Sequence, residues 1–217
     1  MKPFEAFSGV AAPLPRINVN TDAIIPGSYL RSVNADLVEG LFSEWRYNSD
    51  RSPAESFILN RKPYDKAQIL FAGENFGCGS SREAAVWALQ RFGFRAIFSI
   101  KFADIFYENA QRNGLLLGLV TAETIEELST LSLEADPQFH VDLERCEIAH
   151  RAGKSWAFAI SQSRQKALLN GDDEIALTLA KSDDIAAFHA ADRKSRPWSY
   201  RSVEVTDQSD GWPNHNQ

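Results

Sequence analysis

The sequence predicts an α/β fold with a mainly parallel core sheet flanked by helices. Three observations predict it: apolar runs of strand length, helical-period segments between them, and glycines at the segment ends. Gln68-Ile69-Leu70-Phe71-Ala72 is a short apolar run bounded by polar residues and Gly73, which is the pattern of a buried strand. Beyond a glycine-rich turn, Val86, Leu89 and Phe92 recur at i, i+3 and i+6, one face of a helix that Gly93 closes. Ala96 to Ile100 reads as a second strand, and Ala103–Arg112 as a second helix ending at Asn113-Gly114. Leu115 to Val120 is a third strand and Thr121–Leu128 a third helix. Strands joined through helices in this way run mainly parallel.

After Pro137 come two further strand-like pieces, Phe139–Leu143 and Trp156–Ile160. Two helical stretches follow. The first ends at Asn170-Gly171, and the second, or a broken pair, covers roughly Asp173–Arg193. The first ~65 residues carry many turn signals, among them Pro13, Pro15, Asn18, Asn20, Pro26 and Gly27. Aromatic residues such as Phe42, Trp45 and Phe57 recur there, so the segment is expected to be ordered but loop-rich. One domain is expected over residues 1–198, with 199–217 as a tail that either docks through Trp198 and Trp212 or frays.

Composition narrows the function classes. Of 217 residues 44% are hydrophobic, enough to bury a substantial core. Lys and Arg number 23 against 29 Asp and Glu, a net charge of −6, so the chain lacks the basic excess that tracks nucleic-acid phosphates or an anionic membrane. No apolar run approaches the roughly 18–20 residues of a membrane span. The start, Met1-Lys2-Pro3-Phe4-Glu5-Ala6, lacks the layout of a secretory signal. Cys78 and Cys146 offer neither a disulfide framework nor a CxxC metal pair. A cytoplasmic chain is expected, with no metal site of its own and no nucleic-acid or membrane partner.

Chemistry concentrates in Gly77-Cys78-Gly79-Ser80-Ser81-Arg82-Glu83, between a strand and a helix. Helix-start N–H groups lack intrahelical partners and carry the positive end of the dipole. Glycines admit a ligand close to the main chain, and arginine adds a planar fork for a carboxylate or phosphate. The turn therefore reads as an anion site bearing one or two hydroxyls. The same residues also match a capping box, with Ser80 as N-cap and Glu83 three residues on. The spacing is neither a Walker loop nor a dinucleotide fingerprint.

Asn75-Phe76-Gly77-Cys78-Gly79-Ser80-Ser81-Arg82-Glu83 resembles the small subunit of 3-isopropylmalate dehydratase (isopropylmalate isomerase), a relative of the swivelling domain of aconitase. The resemblance extends to Asn18-Val19-Asn20-Thr21-Asp22-Ala23-Ile24-Ile25-Pro26, Gly93-Phe94-Arg95-Ala96-Ile97, Phe102-Ala103-Asp104-Ile105-Phe106-Tyr107 and Asn113-Gly114-Leu115-Leu116. Leu168-Leu169-Asn170-Gly171-Asp172-Asp173-Glu174-Ile175-Ala176-Leu177-Thr178 and Arg196-Pro197-Trp198 continue it toward the C-terminus. It implies a β/β/α swivelling domain that works with a large subunit holding a [4Fe–4S] cluster, none of which this chain binds. The implied reaction interconverts 2- and 3-isopropylmalate by dehydration and rehydration, in leucine biosynthesis.

By position the resemblance makes Ser80 the base that removes and returns the carbon-bound proton, with Ser81 and Arg82 on a substrate carboxylate. Asp22 corresponds to an aspartate on the cluster-facing side, although an Asx-turn ahead of Pro26 explains it equally well. Arg31, in Tyr29-Leu30-Arg31-Ser32, falls in a loop that tunes substrate choice, or is simply a solvated surface arginine. One departure stands out. The family continues Ser-Ser-Arg-Glu with His-Ala-Pro-Trp, whereas this chain has Ala84-Ala85-Val86-Trp87. That keeps open a paralogous hydro-lyase for another small diacid, such as dimethylmalate or citramalate, or a non-catalytic anion-binding module of the same fold. The four histidines, His140, His150, His189 and His215, form no ligand-spaced pair, and surface positions are expected for them. Cys78 reads as a small buried filler rather than a reactive thiol.

Overall fold

Strand formation begins earlier than the sequence pattern suggests. In the computed structural model, which describes residues 1–31, 35–134, 136–172 and 174–200, the first strand β1 spans Phe7–Leu14. It lies in the segment expected to be loop-rich. Gly9, Pro13 and two alanines give it no alternation, because seven of its eight residues are buried. Pro13 is tolerated inside a sheet for a local reason. Residues two apart along a strand turn their N–H groups to the same side. Ala11 donates there to the Pro137 carbonyl at 2.7 Å, and the antiparallel partner pairs only Phe7 to Val10. At Pro13 that side carries no ladder, so the missing donor costs no strand bond.

The seven strands order as β4-β3-β2-β1-β5-β6-β7. β2 (Ile69–Ala72), β3 (Ala96–Ser99) and β4 (Leu116–Leu119) follow β1 in parallel and form the expected core sheet. β5 (Gln138–Asp142), β6 (Glu147–His150) and β7 (Lys154–Ala157) extend it antiparallel from β1. Between the parallel strands lie α4 (Glu83–Phe92) and α5 (Asp104–Arg112), while α6 (Ala122–Glu134) follows β4. The sheet is thereby covered on two faces. Ala12, Leu70, Ala72 and Ile97 pack with Val86 and Leu89 of α4, whereas Ala11, Phe71 and Phe98 pack with Leu128 of α6. β2 is buried along its whole length, which is why its sequence is continuously apolar.

Between β1 and β2 run three one-turn helices, α1 (Thr21–Ile24), α2 (Leu37–Gly40) and α3 (Ser43–Arg46), and several 3₁₀ turns. The aromatic residues order this stretch as expected: Phe42 stacks on Trp45, with ring centroids 5.6 Å apart, and Phe57 leans on both.

Two sequence readings need correction. β6 has no counterpart in the sequence pattern, and it carries His150 into the interior at 6% exposure rather than onto the surface. There Nε2 donates to the Asp136 carbonyl at 2.9 Å and the ring lies 4.8 Å from that of Phe139. The last strand also starts two residues early, at Lys154 rather than Trp156.

The first of two compact units covers Met1–Glu174 and includes α7 (Gln162–Asn170), which ends at Gly171 as the sequence predicts. The second begins at Ile175. The expected final helical stretch is a broken pair, α8 (Glu174–Leu179) and α9 (Ser182–Ser195), followed by a 3₁₀ turn at Pro197–Tyr200. Within the second unit Asp192 accepts from Arg196 Nε at 2.6 Å and from the Tyr200 hydroxyl at 2.8 Å. Trp212 and the rest of the expected tail beyond Tyr200 lie outside the described residues. No helix among the described residues is long and apolar enough to cross a membrane.

Candidate functional site

The parallel strands β1 and β2 release the chain side by side, and the two exits are tied together. Gly73, just past β2, passes so close to the Arg16 carbonyl that a Cβ would stand 2.4 Å from its oxygen. Beyond it, Gly77 N–H donates to the Val19 carbonyl at 2.7 Å and Thr21 N–H to the Cys78 carbonyl at 2.8 Å. The β1 exit and the glycine turn thus run parallel for a few residues, with Asn20 bridged to Cys78. Gly77 itself sits at φ +79° against the Phe106 ring, where a Cβ would meet Cγ at 2.2 Å.

This geometry removes the capping reading of Ser80. α4 starts at Glu83 with Arg82 as its N-cap, and Arg82 makes no side-chain capping bond. Ser80 is exposed and stands two residues before the N-cap, so the capping box does not form. Arg82 is extended, at φ −120° and ψ 101°, which carries Ser80 and Ser81 out of helical register. Glu83 is engaged elsewhere, accepting from Asn113 Nδ2 at 2.8 Å. The hydroxyl-bearing turn is left exposed beside a helix start.

Asp22 and Arg82 meet directly: Arg82 Nη1 forms an ion pair with Asp22 Oδ1 and also donates to the Ile25 carbonyl at 3.3 Å. The Nε–Nη2 edge of Arg82 makes no hydrogen bond to the described residues. One edge of the fork is therefore braced and the other is available. The Asx cap of this region is Asn20 rather than Asp22: Asn20 Oδ1 accepts from Ala23 N–H at 2.7 Å and starts α1.

Arg31 stands apart from this group. It is exposed at the end of the 3₁₀ turn Gly27–Leu30, and no hydrogen bond or ion pair joins it to Ser80, Ser81, Arg82 or Asp22. Its neighbour Ser32 in the expected substrate loop lies outside the described residues. Ala84, at the place of the family histidine, is half-buried against the core. Cys78 is also half-buried, less enclosed than a core filler. Among the described residues no three His, Cys, Asp or Glu side chains group as metal ligands. An iron–sulfur cluster needs about three or four thiolates, and this chain has two cysteines, so its residues do not fit a cluster of their own. Thr21 gives no signal of a site role in the sequence. Its type is too common to stand out, and only its burial and partners mark it.

A curled α/β sheet with a serine-bearing glycine turn braced by the β1 exit defines an aconitase-type swivelling domain. The aconitase C-terminal domain model matches residues 1–123, and the model of the C-terminal domain of the 3-isopropylmalate dehydratase small subunit matches residues 174–201. The 3-isopropylmalate dehydratase small subunit of Cupriavidus necator is 48% identical over 91% of this chain and 98% of its own length. That of Agrobacterium fabrum is 45% identical over 92% of this chain and 100% of its own. A crystal structure of 3-isopropylmalate dehydratase from Methanocaldococcus jannaschii superposes with a TM-score of 0.59 at 28% identity, covering 85% of this chain and 99% of that one. The chain belongs to the family of 3-isopropylmalate dehydratase small subunits.

Proposed function

We propose that this chain is the small subunit of a hydro-lyase that interconverts 2- and 3-isopropylmalate in leucine biosynthesis, acting in the cytoplasm with a large iron–sulfur subunit. The observation that carries the site reading is the exposed Ser80-Ser81 pair next to an arginine whose Nη1 is braced by Asp22. The large subunit would supply the [4Fe–4S] cluster.

Arg82 presents its Nε–Nη2 edge to one substrate carboxylate, a bidentate fit of fork to planar anion. Asp22 holds the guanidinium from behind, so the fork is oriented before substrate arrives. Ser81 adds a hydroxyl to the same carboxylate. Ser80 removes the proton from the substrate carbon and later returns it. A serine hydroxyl is a very weak base, so the role requires its alkoxide, which the helix-start N–H dipoles and the Arg82 charge favour. Arg31 contributes to the choice of substrate side chain from the neighbouring loop.

The test is anaerobic reconstitution with the large subunit, following alkene formation from 3-isopropylmalate, 2,3-dimethylmalate and citramalate in parallel. Preference for 3-isopropylmalate is expected. Preference for another diacid favours the paralogue reading, to which Ala84 points. Ser80→Ala is expected to bind the large subunit normally and to lose turnover; substantial residual activity would sink the assignment of Ser80.

A further inference from the structure

We infer that Thr21 is a positioning residue for Ser80, setting the direction of the peptide unit on which the proton-transfer chemistry depends. The inference rests on the reading of Ser80 as base and deepens it.

Thr21 is 1% exposed, in contrast to the open serines it faces. It stands at the first position of α1, where its own N–H has no intrahelical partner. That N–H goes to the Cys78 carbonyl at 2.8 Å, and the hydroxyl donates to the Ser80 carbonyl at 2.9 Å. One buried residue therefore holds two alternate carbonyls of the glycine turn. Gly79 lies between them at φ +93°, with its Cβ direction 3.6 Å from Thr21 Oγ1, so the turn folds directly over this side chain.

The consequence follows from peptide planarity. In a trans peptide the C=O of one residue and the N–H of the next point in opposite directions. A Ser80 carbonyl held toward Thr21 turns the Ser81 N–H away from α1, and the Cys78 carbonyl does the same for the Gly79 N–H. The N–H groups of Gly79, Ser80 and Ser81 donate to no described residue. Without the Thr21 hydroxyl, the Ser80–Ser81 peptide loses the bond that fixes its rotation, and Ser80 Oγ, carried on the same residue, loses its aim. Displacement of a reacting group by about 1 Å costs on the order of a hundredfold in rate. A threonine that served only to fill space would be replaced without penalty by valine, which has nearly its shape.

The experiment compares Thr21→Val and Thr21→Ser in the full-length chain, alone and reconstituted with the large subunit. Thr21→Val is expected to lower kcat about tenfold to a hundredfold, with KM changed much less and complex formation retained. In the isolated chain it is expected to speed hydrogen exchange of the Gly77 and Thr21 amides, whose N–H groups donate to the Val19 and Cys78 carbonyls. Thr21→Ser, which keeps the hydroxyl, is expected to restore both. A Thr21→Val protein with wild-type kcat and exchange overturns the inference, as does a Thr21→Ser protein as impaired as the valine variant. If Thr21→Val misfolds, Thr21→Ala replaces it in the same comparison with Thr21→Ser. Ser80→Ala, run alongside, separates the two layers. Retained turnover in Ser80→Ala refutes the base itself, while inactive Ser80→Ala with normal Thr21→Val refutes only the positioning role.

Discussion

Glu83, the first residue of α4, is held from outside its own helix: Asn113, at the end of α5, donates through Nδ2 to its Oε1 at 2.8 Å. The same Asn113 carboxamide accepts from Trp87 Nε1 at 2.9 Å, and its backbone carbonyl accepts from Gln90 at 2.6 Å. One asparagine thus sets three side chains of the helix that follows the serine turn. Asn113→Ala is expected to lower stability by about 1–2 kcal/mol, the range for losing such hydrogen bonds with partners left unmatched. Urea unfolding measures it, and an unchanged midpoint would show that water replaces the carboxamide at no cost.

The two glycines of the turn are expected to differ sharply. At Gly77 an added Cβ collides with Phe106 and the φ of +79° disfavours any side chain. At Gly79 the backbone is strained for alanine, at φ +93°, yet the nearest atom, Asn20 Cβ, is 3.4 Å away. Gly79→Ala should cost about 1–2 kcal/mol of strain, whereas Gly77→Ala should cost more and impair soluble expression. Equal stabilities would contradict this.

Ser129 offers the opposite sign. Its hydroxyl is buried in α6 and has no hydrogen-bond partner among the described residues. Ser129→Ala removes an uncompensated polar group and improves helix propensity, so a gain of about 1 kcal/mol is expected from thermal unfolding. A loss would mean that an internal water satisfies it.

Glu127 ties α6 to β7. It is held below the usual glutamate range by Lys154 and by Trp156 Nε1, the latter at 2.6 Å. A depressed carboxylate binds fewer protons folded than unfolded, so its contribution is present above the ordinary glutamate value and is lost as pH falls through the lower folded one. Glu127→Gln should therefore lower stability at about pH 8, where the contribution is fully present, leave it little changed well below about pH 4.5, and so flatten the acid limb between. An unaltered acid limb would dismiss the contribution.

Arg82→Lys tests the fork. Lysine keeps the charge but cannot hold Asp22 and a carboxylate with one planar group. A marked rise in KM with retained assembly is expected in the reconstituted enzyme, and unchanged kinetics would refute carboxylate binding by Arg82.

Much of this molecule is legible in one dimension because its signals are local. Ile69–Ala72 is apolar throughout because both sheet faces are covered, and Gly93 and Gly171 end helices through positive-φ conformations that glycine adopts without strain. The glycine turn can be picked out as a candidate anion site for the same reason: residue type and neighbour order carry it. β1 and β6 escape such a reading. The first, made of small and mixed residues, pairs with a strand more than a hundred residues away, and the second takes its identity from neighbours in the sheet rather than from its own pattern.

The choice between cap and open site was a tertiary decision. Ser80-Ser81-Arg82-Glu83 satisfies the capping pattern by sequence, but Thr21 takes the Ser80 carbonyl, Asn113 takes Glu83, and Asp22 takes Arg82. Each of these partners lies 30 to 60 residues away along the chain. Local sequence determined which groups are present and where the backbone turns. Long-range hydrogen bonds, two of them formed because β1 and β2 lie side by side and one because α5 packs beside α4, decided where those groups point.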